Sequence, residues 1–126
     1  MTKFQALKKQ YQKAVERLDE ILKKRKSKIV RDSAIKRFEF TFDLAWKTIK
    51  AFLEEEKGIR CVSPKDCFRE AYRQGLIEYD EIWLKMTDWR NSAVHTYSEK
   101  FADELYKKLP DCLKSFEKLL KNLQSY

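Results

Sequence analysis

Glycine occurs only at positions 58 and 75 and proline only at 64 and 110, so the first 57 residues hold neither of the strong helix breakers. A stretch of that length with no such punctuation predicts long helices. Phe4, Leu7, Tyr11, Ala14, Leu18 and Ile21 recur at spacings of three and four, which puts them on one face of a helix over roughly residues 3 to 26. The cluster Lys23-Lys24-Arg25-Lys26-Ser27-Lys28 ends or bends it, and the basic segment 23–31 reads as a solvated helix end.

The run from Phe38 to Leu44 alternates apolar and polar residues as a half-buried strand would. Length decides against a strand: nothing interrupts Asp32 to Lys57, Phe38, Phe42, Ala45, Ile49 and Phe52 keep helical spacing, and Gly58 stands where a C-terminal cap belongs. Phe40 and Trp46 lie off that stripe, so this second helix carries more apolar surface than one packing partner requires, as a contact between subunits would explain. Ser63-Pro64-Lys65-Asp66 reads as a helix start, with Ser63 as cap, Pro64 in the first turn and Asp66 placed to reach back as a capping-box acid. Gly75 ends that short helix. A fourth helix begins near Asp80 with Ile82, Trp83, Met86, Trp89 and Ala93 on its buried side. Ser98 is placed to cap the last part of the chain, one or two amphipathic helices from Phe101 to Leu123 that Pro110 either kinks or divides. The expected architecture is all-α: an up-and-down bundle of four main helices plus one or two short ones.

At 126 residues the chain fits one domain, 1–126, and its 43% apolar content suffices for a core. No apolar run nears the roughly 20 residues that cross a bilayer. With no secretory leader evident at Met1, a soluble, cytoplasmic protein without membrane contact is expected. Cys61, Cys67 and Cys112 are an odd number without Cys-x-x-Cys spacing. They read as reduced packing residues, and with His95 they match no zinc pattern, so neither metal nor cofactor is expected. The formal charge of +8 favours anionic partners, nucleic acid or an acidic protein.

The chemistry concentrates in Arg90-Asn91-Ser92-Ala93-Val94-His95-Thr96-Tyr97, which holds the only histidine. At about 100° per residue, Arg90 and Tyr97 project nearly together on a continuing helix, and Asn91 and His95 share a neighbouring face. Arginine offers a planar fork for phosphate oxygens, and histidine is suited to proton transfer near neutrality. Asn91, four residues before His95, is placed to orient the imidazole. These are parts for cutting RNA without a metal, and a two-fold pairing of chains would supply the second histidine that such a cut favours. The plainer alternative is an Arg and a His that satisfy the carbonyls and dipole of a helix end. Glu39 and Asp43, one turn apart, are candidates to tune His95, against the ordinary expectation of solvated or ion-paired acids.

Over nearly its whole length the chain resembles the HEPN superfamily, and within it the nucleotidyltransferase substrate-binding proteins that include the HepT toxins. The landmarks are Arg37-Phe38-Glu39, Trp46-Lys47, Gly58, Ser63-Pro64, Gly75-Leu76-Ile77, Trp83, Met86, Arg90-Asn91 and His95-Thr96-Tyr97. The resemblance implies a HEPN-like helical bundle and a homodimer with the motif at its cleft. It implies a metal-independent endoribonuclease of a toxin-antitoxin module, with Arg90 and His95 catalytic and Asn91 supporting. It also implies a partner, a minimal nucleotidyltransferase of the MntA type, that transfers adenylyl groups to Tyr97. Two alternatives stand beside the nuclease: a non-catalytic substrate-binding subunit or modification target of the nucleotidyltransferase, and an adaptor bundle with an incidental motif.

Overall fold

A computed structural model describes residues 1–95 and 98–126. Its helices are α1 (Lys3–Leu22), α2 (Lys28–Phe52), α3 (Pro64–Arg73), α4 (Ile82–His95) and α5 (Glu99–Leu123), with a π-helical turn, Leu53–Lys57, continuing α2. The all-α up-and-down bundle expected from the spacing is the fold observed, and α1, α2, α4 and α5 are its main members. The alternating run 38–44 is helical throughout.

Hydroxyl side chains open four of the helices. Thr2 and Gln5 form a reciprocal capping box on α1, and Ser27, Ser63 and Ser98 each accept from the backbone amide three residues on. The Ser27 cap starts α2 at Lys28, four residues before the expected Asp32, and leaves the basic cluster as the joint between α1 and α2. Asp66 does not complete a capping box: its carboxylate accepts from Arg69 at 3.4 Å. Gly58 closes the π-helical turn with φ of 66°, a left-handed backbone that a Cβ disfavours. Pro110 neither divides nor ends α5. It sits on the exposed side, and its missing amide removes the helical hydrogen bond to the Tyr106 carbonyl.

Phe116 is the hub of the core. Its ring lies 6.2 Å from Phe38, 6.3 Å from Tyr11 and 5.8 Å from Trp83, so one α5 residue touches α2, α1 and α4. Phe68 extends the cluster into α3, 4.8 Å from Trp83 and 5.6 Å from Phe42. The Tyr11 hydroxyl donates to the Phe116 carbonyl at 2.7 Å, which satisfies a polar group that has no water to turn to. Burial holds that phenol well above its ordinary pKa, with Glu117 adding to the rise.

Two sequence expectations change here. Cys61 and Cys67 are joined in a disulfide, their Cα atoms 5.1 Å apart, in place of the two reduced thiols expected. The chain reverses at the Ser63-Pro64 helix start and carries Cys67, in the first turn of α3, back beside Cys61, which residue spacing alone does not reveal. Cys112 is a packing residue as expected, its thiol pushed up to about 12, chiefly by burial. Arg31 departs from the solvated basic segment: it is 3% exposed and hydrogen-bonds Asp32, Glu99 and Asp103. It lies three and seven residues before the buried Ala34 and Phe38, and so belongs to the α2 core stripe.

The Arg31 cluster fastens the start of α5, directly after the motif, to the start of α2. Hydrogen bonds from Arg31 are the leading cause that holds the Glu99 and Asp103 carboxyls below their usual range. For acids with depressed folded-state values, the stabilisation is present above the unfolded pKa, about 4, and is lost as pH falls through the folded values. The melting temperature is therefore expected to drop below about pH 4. A Glu99→Gln/Asp103→Asn variant should be less stable at neutral pH and converge on the parent in acid. Parallel melting curves at every pH would remove this account.

Candidate functional site at the end of the fourth helix

Helix α4 begins with its first amide bound by the Asp80 carboxylate at 3.0 Å. Trp83, Met86 and Thr87 are buried, and the Thr87 hydroxyl donates to the Trp83 carbonyl. Trp89 and Ala93 are partly buried against the core, as their spacing implies. A salt bridge of 2.8 Å between Lys65 and Asp88 ties α3 to the same helix. The seating weakens toward the C-terminus, where Asn91, Val94 and His95 are exposed.

Arg90 follows Trp83 by seven residues and Met86 by four, so it continues the inward-facing stripe rather than the solvent face. Its guanidinium is accordingly half-buried. Nη2 donates to Asp43 Oδ1 at 2.7 Å, Nη1 donates to Asn91 Oδ1 at 3.1 Å, and the group lies 5.8 Å from the centre of the Phe42 ring. Phe42 is itself 6.4 Å from Phe38, which continues to the Phe116 hub, so aromatic packing leads from the core to this cation. None of the described bonds of Arg90 goes to a carbonyl at the helix end, as the plainer alternative would require. Asn91 accepts from Arg90, and among the described residues no hydrogen bond joins it to His95. His95 is the last residue of α4 and is exposed. Thr96 and Tyr97, the expected modification acceptor, lie outside the described residues.

Of the two acids on α2, Asp43 meets Arg90 rather than His95. Glu39, one turn earlier and half-buried, has its carboxyl held above the usual range mainly by burial; Asp43 adds to the rise, while Lys36 and Arg90 oppose it. Phe42 reads from the sequence as core alone, and its second role as a wall for Arg90 has no signal in the spacing. Of the two residues off the α2 stripe, Trp46 packs partly against the bundle with its indole N–H buried and without a hydrogen-bond partner among the described residues, while Phe40 stays 55% exposed with Lys36 over its ring. A cavity of about 230 Å³ opens beside the end of α4, lined by Arg31, Ile35, Ala93, Ser98 and Phe101 among others. Among the described residues no three His, Cys, Asp or Glu side chains gather as a metal-holding group, and no helix is long and apolar enough to cross a membrane.

The all-α up-and-down bundle is that of a HEPN-like fold, and it carries Arg90 and His95 on one helix end with Asp43 of the second helix on the Arg. The family described as nucleotidyltransferase substrate binding protein like matches residues 5–125. The chain belongs to this HEPN/HepT-like family of nucleotidyltransferase substrate-binding proteins. It is 35% identical over 95 residues to the probable ribonuclease HepT of Haemophilus influenzae, a match that takes in 72% of this chain and 65% of the relative's length. The chain thus spans a little under two thirds of that curated relative. A crystal structure from Thermus thermophilus is similar at 38% identity with a TM-score of 0.84, over 90% of this chain and 98% of that one. The Haemophilus influenzae protein HI0074, described as having the fold of a substrate binding domain of a nucleotidyltransferase, is similar at 27% identity with a TM-score of 0.68, over 96% of each chain.

Proposed function

We propose that residues 1–126 act as one HEPN-like domain, a HepT-like toxin that cleaves RNA without a metal. The observation that carries this reading is Arg90, a cation oriented by Asp43, Asn91 and Phe42 on the same helix end that presents an exposed His95. In the reaction, one His95 imidazole takes the proton of a ribose 2′-hydroxyl. The O2′–P bond forms, the P–O5′ bond breaks, and a 2′,3′-cyclic phosphate remains. A second imidazole, protonated, gives its proton to the departing 5′ oxygen, and Arg90 steadies the crowded anionic phosphorus. The second imidazole comes from a homodimer, because a two-fold axis repeats every residue at its cleft. Exposed Phe40 and Val94 supply apolar surface for such pairing.

Regulation falls to a partner minimal nucleotidyltransferase of the MntA type that adenylylates Tyr97. An added nucleotide places bulk and negative charge beside groups that receive an RNA phosphate. The second reading is a non-catalytic substrate-binding subunit or modification target, favoured by the description of HI0074 and by the carboxylate that already occupies Arg90.

The test is cleavage of single-stranded RNA by the purified dimer in excess EDTA. Products ending in 2′,3′-cyclic phosphate are expected, with 2′-O-methyl RNA left intact. No cleavage by the unmodified chain, together with a mass gain of one or more adenylyl groups beside the partner, ATP and magnesium, would favour the second reading.

A further inference from the structure

We propose that Asp43 is a positioning residue that holds the Arg90 guanidinium in a carboxylate-paired resting state, which an RNA phosphate must share or displace. This rests on the nuclease reading above and adds a residue from a different helix to that site.

The geometry is one-pointed. Asp43 engages Arg90 through a single contact, Oδ1 to Nη2 at 2.7 Å, and Asn91 engages it through Nη1 alone. A guanidinium has five N–H donors. Two are used by the described hydrogen bonds, so donors remain for phosphate oxygens while the plane of the group stays fixed. Phe42 walls one face at 5.8 Å, which limits the arc over which the group can swing. The side chains of the pair are 29% and 31% exposed, open enough for a strand to reach and covered enough for the charges to feel each other.

The neighbouring acid, Glu39, makes no described hydrogen bond or salt bridge to the guanidinium. Charged groups facing Glu39 are Lys36 and Asp43 on its own helix and Arg90 on α4. Burial holds the Glu39 carboxyl above its usual range, and of the two acids one turn apart Asp43 is the one in contact with the guanidinium. Asp43 thus has two opposed effects on an RNA strand. It orients the cation for the phosphorus, and it places a negative charge where a phosphate must come.

The distinguishing experiment uses the full-length dimer and two measurements on each variant. Fluorescence anisotropy with a labelled single-stranded 2′-O-methyl oligonucleotide reads affinity, and single-turnover cleavage of the unmodified strand reads chemistry. Asp43→Asn should bind about 3-fold tighter, the size of a half-exposed ion pair, and cleave about 10-fold more slowly, because a loosened group loses its alignment. In an Arg90→Ala background the same substitution should change neither. Opposite movement of affinity and rate is a signature that a merely structural role does not produce. Asp43→Ser provides the second variant should the amide disturb folding.

Equal losses of affinity and rate in Asp43→Asn, or the same shifts with and without Arg90, would overturn the positioning role and leave the nuclease reading standing. A parent that binds RNA without cutting it fails the nuclease reading alone, and the affinity arm still decides Asp43. An Arg90→Ala variant that binds and cleaves like the parent, or a parent that does neither, overturns both.

Discussion

Alanine at Arg90 or at His95 is expected to slow RNA cleavage about 10²- to 10⁴-fold while helicity and the state of assembly persist. The range comes from the role proposed for each group: a positioned base or acid contributes on that scale, and so does a cation aimed at developing charge. Stability does not account for such losses. His95 is exposed and its truncation falls within about 0.5 kcal/mol. Arg90 gives up one ion pair whose partners are each about a third exposed, worth about 1 kcal/mol or less after solvent screening, together with an exposed hydrogen bond to Asn91 and a contact with Phe42. A loss confined to folding would therefore be small for both, and the melting curve beside each rate separates the causes. The double variant should be little worse than either single one, because groups that act in one step are strongly non-additive. Two alanine variants that cut RNA as fast as the parent would end the catalytic assignment.

The fold is legible because the chain says so little against helices. The absence of breakers before Gly58 outweighs the strand-like alternation of 38–44, since the rest of α2 keeps the same helical period on either side of it. Caps are less easily read. Ser63 and Ser98 stand beside proline or after a motif and draw attention, whereas Ser27 hides within a lysine cluster and Thr2 at the chain start, though Thr2-Lys3-Phe4-Gln5 carries the capping-box pattern plainly. Arg31 and the Cys61–Cys67 disulfide escape a reading of spacing for one physical reason: each depends on segments brought together by packing.

The site divides in the same way. Arg90, Asn91 and His95 stand out by type and spacing along one helix, and the structure brings the first two together while leaving His95 open. Asp43 is visible as an acid on α2, and it meets the ordinary expectation of an ion-paired acid, with Arg90 and not His95 as its partner. Spacing within α2 says which face Asp43 occupies and nothing about which residue of α4 stands opposite. That pairing is set by the register of two helices, which is fixed by the aromatic contacts among Phe42, Phe68, Trp83 and Phe116.

Phe116→Ala should be the most damaging single change in the core, lowering stability by about 3 to 5 kcal/mol. Its ring meets Tyr11, Phe38 and Trp83, so the void left behind is bordered by three helices that cannot all move inward together. The Tyr11 hydrogen bond goes to the Phe116 backbone carbonyl and survives the substitution, which confines the loss to packing. Against a total of about 5 to 15 kcal/mol for a domain of ordinary stability, the variant keeps a folded majority unless the parent lies at the bottom of that range. Urea unfolding followed by circular dichroism should show a large fall in midpoint with the slope unchanged. Because Trp83 seats the first half of α4 on this ring, any cleavage activity should fall with the folded fraction and return to the parental level per folded molecule. An unchanged midpoint would mean that the bundle closes without Phe116, and the route from core to Arg90 through Phe38 and Phe42 would lose its foundation.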